Sequence, residues 1–165
     1  VMATQVQFRR GTTSQHGSFT GAVGEITVDT DKDTVVVHDG SQAGGFAIPN
    51  LKTAQEFTAT QNFNATTLSD GATIAWDASS NQVAKVTLGG NRTLAAATNQ
   101  VDGAVYVLSV IQDGSGSRTL SFNSNYKFTG GEAPTLTTTA SAIDVLVFLS
   151  NGSNMLEIGR SLNIS

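Results

Sequence analysis

Cysteine is missing from all 165 residues, which excludes disulfides, thiolate metal sites and thiol nucleophiles. Two histidines do not furnish a histidine-rich metal centre, and no cofactor is expected. Charge is scarce as well: Asp, Glu, Lys and Arg make up 13% of the chain, about half the usual quarter. Long helices laced with ion pairs are therefore excluded, and the surface must be carried largely by Thr, Ser, Asn and Gln. Nine basic residues against thirteen acidic ones give a net charge of −4, with the basic residues scattered rather than striped. That balance argues against a nucleic-acid partner. No run approaches the 18 apolar residues of a membrane span, so membrane insertion is not expected. The opening Val1-Met2-Ala3-Thr4-Gln5 has neither the basic nor the apolar region of a secretory signal.

What is present has a period of two. Val6 and Phe8 alternate with Gln5, Gln7 and Arg9, and Ile26 and Val28 alternate with Glu25, Thr27 and Asp29. The Val-rich run Thr34 to His38 follows across a polar turn and predicts a hairpin. Further runs at 72–77, 83–88, 105–111, 118–122, 143–149 and 155–164 are punctuated by Asp70-Gly71, Asp102-Gly103, Asp113-Gly114 and Asn151-Gly152. Short strands with repeated turn signals predict an all-β chain: a small N-terminal β module over 1–48, then a β-sandwich or small barrel over 70–165. The runs at 105–111 and 143–149 are apolar on both faces, which fits central strands covered on two sides or a strand packed against another subunit. Residues 49–69 read as a linker, with one short helix expected from Leu51 to Ala59, capped by Asn50.

Before Pro49 the apolar inventory is too small to sustain a core of its own. This segment must either pack on the rest of the chain or share a core with copies of itself, and the second option is what a symmetric oligomer supplies. Val6, Phe8, Ile26, Val28, Leu51 and Phe57 are the candidate interface residues.

Chemistry-bearing patterns are few. Asp29-x-Asp31-x-Asp33 imitates the opening of a calcium loop but has Thr34 where the loop needs Gly and Gly40 where it needs Glu, so it reads as a solvated hairpin turn. Paired carboxylates for glycoside hydrolysis would have to come from Asp77, Asp144 and Glu157, because Asp39, Asp70, Asp102 and Asp113 each precede Gly as turn formers. No G-x-S-x-G elbow exists, and His16 and His38 read as surface or interface residues. Gly89-Gly90-Asn91-Arg92 and Asp113-Gly114-Ser115-Gly116-Ser117 lack a phosphate-loop lysine and read as hairpin turns. The expectation is that the protein is not an enzyme. Trp76, at a strand end, is the candidate glycan contact.

The ordered segments Gln7-Phe8-Arg9-Arg10-Gly11-Thr12, Gly24-Glu25-Ile26, Asp31-Lys32-Asp33, Val37-His38-Asp39-Gly40 and Gly44-Gly45-Phe46 resemble the N-terminal module of phage tail-fibre proteins related to the major tropism determinant. Leu68 to Asp77, Thr87 to Leu94 and Gln112 to Leu120 are similar to segments common in phage virion proteins. The resemblance implies a homotrimer located in the virion, whose N-terminal end faces the particle, with Arg9 and Arg10 as candidates for attachment. The partners it implies are further copies of the chain and other virion proteins of tail or capsid. The reading is a short tail fibre, knob or connector; the alternatives are a capsid decoration or head-fibre protein, or an adhesin domain that binds host surface glycan.

Overall fold

The computed structural model describes residues 6–49, 59–80 and 82–164. Leu51, Phe57 and the helix expected around them lie outside the described residues. The chain divides into two compact units, Val1–Gln61 and Asn62–Ser165, and among the described residues the regular structure of both is mainly strand, as the sequence pattern requires.

The first unit is a four-stranded sheet, β1 (Arg9–Gly11), β2 (Ile26–Asp29), β3 (Thr34–Val37) and β4 (Phe46–Ala47), in that order. β2 and β3 form the expected hairpin, with Ile26 opposite Val37 and Asp29 opposite Thr34. β1 lies parallel to β2 and begins at Arg9, so Val6 and Phe8 precede the strand instead of forming it. Between β1 and β2 runs a five-residue helix, α1 (Thr13–Gly17), where a loop was expected. Its signal was Thr12-x-x-Gln15: the Thr12 hydroxyl accepts from the Gln15 amide at 3.2 Å, and the Gln15 side chain accepts from the Thr12 amide at 2.8 Å.

In the second unit the chain alternates between two sheets. β5 (Thr66–Thr67), β7 (Val83–Leu88) and β9 (Val105–Gln112) belong to a six-stranded sheet; β6 (Thr73–Ile74), β8 (Arg92–Leu94) and β10 (Leu120–Phe122) form a three-stranded one. Successive passes through each sheet are parallel. β11 (Tyr126–Lys127) returns to the large sheet, and β12 (Ile143–Ser150) and β13 (Met155–Ile164) close it as an antiparallel hairpin. The final order is β11-β13-β12-β9-β7-β5, which puts β9 and β12 at the centre. Thr66 to Leu68, read as linker, supply an edge strand and the buried Leu68.

The winding changes the meaning of two glycine-rich stretches. Those after β7 and β9 were expected as hairpin turns, but a hairpin returns the chain antiparallel in the same sheet, whereas these carry it across to the other sheet. Each corner is held by an acid and an arginine. Asp70 receives Arg92 Nε at 2.8 Å and Nη2 at 2.6 Å; Asp113 receives Arg118 Nε at 3.1 Å and Nη2 at 2.9 Å. Asn91 accepts from the Thr119 amide at 3.0 Å and so ties one pass to the next.

The two sheets enclose one apolar core, with Ile74, Leu94 and Leu120 from the small sheet meeting Val86, Leu108 and Phe148 from the large one. Trp76 stands in this core, 1% exposed, with its ring edge-on to Tyr106 at 5.9 Å. A glycan cannot stack on a ring with no accessible face, so the expected contact at Trp76 is withdrawn. A strand-end position was read as exposed, whereas the chain just past β6 turns the Trp76 ring into the core.

Candidate functional site

The first unit is built inside-out. Strand alternation places Thr27, Asp29, Val36 and His38 on one face of the sheet, and all four are buried. Of the apolar side chains described in this unit, Val36 is the buried one; its companions in the interior are His16, Thr27, Asp29 and His38. The histidines read as surface or interface residues are therefore interior. His16 arrives there because the capped α1 turns its ring inward.

These polar groups satisfy one another in a directional chain. The Thr12 carbonyl can only accept, so the contact at 3.0 Å makes His16 Nδ1 a donor and leaves Nε2 an acceptor. The Thr27 hydroxyl therefore donates to His16 Nε2 at 2.9 Å and accepts from His38 Nε2 at 2.9 Å. His38 Nδ1 in turn accepts from the Gly21 amide at 3.3 Å. Gly21 must be glycine, because a Cβ there would lie 2.6 Å from His38 Cγ. Asp29 closes the interior: it accepts from the Thr13 hydroxyl at 2.7 Å and from the amides of Asp31 and Lys32 at 3.0 and 3.2 Å. Burial pushes its carboxyl up, but these hydrogen bonds outweigh that and hold it below its ordinary value. The Asp29 of the expected solvated turn is thus a buried pin. Among the described residues no cluster of three or more His, Asp or Glu could hold a metal.

The opposite face of the sheet carries the apolar side chains. Ile26, Val28, Val35, Val37 and Phe46 share it by register, and Ile26, Val35 and Phe46 are exposed. Val6 and Phe8 are exposed as well. The two arginines part company, because register sets Arg9 beside Thr27 and Arg10 beside Val28, on opposite faces. Arg9 pairs with Glu25 at 3.0 Å, stacks over Phe19 at 4.8 Å, and with Arg10, Gln15, His16 and Thr27 lines a cavity of about 230 Å³. Arg10 makes one long hydrogen bond, 3.4 Å to Gln7.

The three strand-associated acids of the second unit are all engaged. Asp77 accepts from the Ser79 hydroxyl at 2.7 Å and from Asn99 at 3.0 Å. Asp144 accepts from the amides of Thr137 and Asn163 at 2.6 and 2.8 Å. Glu157 accepts from the Thr129 amide at 3.2 Å and faces Arg160 at 3.3 Å.

Comparison with known proteins decides the family. Residues 69–155, more than half of the chain, match the family described as "Putative phage tail fibre C-terminal domain". The chain belongs to this phage tail-fibre family. Its first part, residues 6–42, matches the "Major tropism determinant N-terminal domain". The tail-fibre protein is 72% identical over 47 residues to the "Tail fiber receptor-binding protein" of Bordetella phage BPP-1, a match covering 28% of this chain and 12% of that protein. Among solved structures it resembles the I1 variant of the major tropism determinant, with 71% identity over 27% of this chain and 12% of that one at a TM-score of 0.27. The U1 variant gives 68% identity over 28% and 12%, at a TM-score of 0.28. The chain thus spans about 12% of the length of these relatives. Tail-fibre proteins are components of the virion tail, and a structural role there is the function of this chain. The capsid-decoration alternative gains nothing, since both family matches are to tail proteins.

Proposed function

We propose that this tail-fibre protein is a short fibre, knob or connector that acts by homotrimeric assembly, with its N-terminal unit at the particle end and no catalytic step. The inside-out sheet of the first unit carries the reading. A unit that buries His16, Thr27, Asp29 and His38 while exposing Ile26, Val35 and Phe46 has its apolar face in the wrong place for a solitary module and in the right place for one that shares it. Ile26 and Val28, two of the candidate interface residues, lie on that face. Catalysis finds no support in carboxylates already committed to backbone amides, hydroxyls and arginines.

Light scattering on the full chain should give near 51 kDa, three copies of 17.1 kDa. A mass of 17 kDa independent of concentration would sink the proposal. Replacing Ile26 and Val35 together with Asp should release monomers while leaving the second unit folded.

A further inference from the structure

The outer face of the large sheet in the second unit is a surface of a different kind. β9 and β12 point Val105, Val107, Ser109 and Ile111, and Ile143, Val145, Val147 and Leu149, away from the core, paired row by row. On β13 the register extends these rows with Leu156, Gly159, Ser161 and Ile164. Three strands at about 4.8 Å spacing and eight residues at about 3.3 Å rise make a face on the order of 400 Å². That is about half of the roughly 800 Å² per partner of a standard interface.

Charge identifies the occupant. Where identical copies meet around a rotation axis, residues near the axis face their own counterparts, so a charge there confronts the same charge. A face evolved for a foreign partner carries no such restriction. The central strands β9 and β12 present no charged residue outward; the charges in these rows lie at the flanks, Lys85 on β7 and Lys127, opposite Leu156, on β11. Serine and glycine, which face their own kind without penalty, fill the remaining positions: Ser109, Ser161 and Gly159.

We infer that this face meets the same face of other copies of the chain around their common axis, giving the second unit an assembly surface of its own. The inference rests on the assembly reading in one respect: copies tethered through their first units hold their second units at high effective concentration, so a face of modest area suffices.

The absence of cysteine makes the test clean. Ser109→Cys puts one thiol in the middle of the face, and Ser121→Cys, at the exposed position of β10, is the control. In the full chain the Ser109→Cys thiol should react with a bulky maleimide at least about tenfold more slowly than the control, since access governs the rate. A short-armed bis-maleimide should link copies through Ser109→Cys and not through Ser121→Cys. Adding Val145→Lys, which places like charges against one another, should restore fast labelling and abolish the link. Equal labelling rates would overturn the inference. So would a slow thiol that never links two copies, or one that Val145→Lys leaves slow, because the cover would then be something other than a second copy. Light scattering on the same samples reads assembly separately: a trimer with a freely labelled Ser109→Cys thiol removes this inference and leaves the assembly reading standing, whereas a lone chain removes both.

Discussion

His16 and His38 stand on either side of one hydroxyl, each with Nε2 2.9 Å from Thr27 Oγ1 and with their rings nearly parallel, 13° apart. Thr27 has a single proton to give, so it donates to one ring and accepts from the other. The order runs unbroken from the Gly21 amide to the Thr12 carbonyl, and it fastens α1 to the β2–β3 hairpin in a unit with almost no apolar interior.

Thr27→Val keeps the shape of the side chain and removes both hydrogen bonds, stranding a donor on His38 and an acceptor on His16. We expect the first unit to lose about 2–4 kcal/mol, the sum of two buried polar groups left unsatisfied. Thr27→Ser, which keeps the hydroxyl, should cost well under half as much. Native-state hydrogen exchange at the Gly21 amide reads the difference; equal protection in both variants would show that the chain of hydrogen bonds holds nothing.

Acid should loosen the protein through named carboxylates. Hydrogen bonds from Arg92 lower the Asp70 carboxyl and those from Arg118 lower Asp113, while for Asp29 the Thr13, Asp31 and Lys32 hydrogen bonds prevail over burial. A carboxyl lowered in the folded state binds fewer protons there than in the unfolded chain. Stability from these groups is therefore fully present above the ordinary value of 3.8 and is lost as pH falls below it, through the folded values. The part of the melting temperature that these carboxylates supply should be flat from neutrality to about pH 5 and drop below about pH 4. Asp70→Asn and Asp113→Asn together should flatten that drop; an unchanged acid limb would assign it elsewhere.

Much of this architecture was legible in alternation alone. Val83–Leu88 begins and ends where the pattern of apolar residues does, because the strand buries Ala84, Val86 and Leu88 in a continuous core. Connectivity was not legible. An Asp-Gly pair specifies that the chain bends and is silent on whether it returns to the same sheet or crosses to another; the choice is made by partners such as Arg92 and Arg118, distant from or hidden within the turn. The two histidines were misplaced for a related reason. Hydrophobicity assigns polar residues to the surface, and the interior of the first unit is polar because every one of its groups finds a partner. The capping box at Thr12 and Gln15 was the available clue to where His16 points.

Two glycines one residue apart in the corner after β9 should behave oppositely. Gly116 has φ near +66°, and a Cβ there would lie 2.6 Å from the Thr138 carbonyl oxygen and 2.7 Å from the Ala140 amide nitrogen. Gly114 faces open space. Gly116→Ala should cost about 2–4 kcal/mol from backbone strain and overlap together, and Gly114→Ala should fall within about 0.5 kcal/mol of the parent. Urea denaturation of the two variants checks it, and equal midpoints would mean that the corner yields freely.

Arg9 and Arg10 were paired as attachment candidates, and their opposite faces now separate them. Arg9 is occupied within its own unit by Glu25 and Phe19, contacts at a surface site worth about 1 kcal/mol or less each. Arg10 stands on edge strand β1, at the margin of the exposed apolar face, with its guanidinium nearly unspent. Arginine at the polar rim of an apolar patch suits contact with another protein. Arg9→Ala should therefore lower the stability of the first unit slightly and leave incorporation into particles close to normal. Arg10→Ala should leave folding unchanged and reduce incorporation severalfold, measured as the ratio of variant to parent chain in purified virions after co-expression. If Arg9→Ala is the variant excluded from particles, the attachment surface lies on the Thr27 side of the sheet. If both are incorporated normally, neither arginine is an anchor.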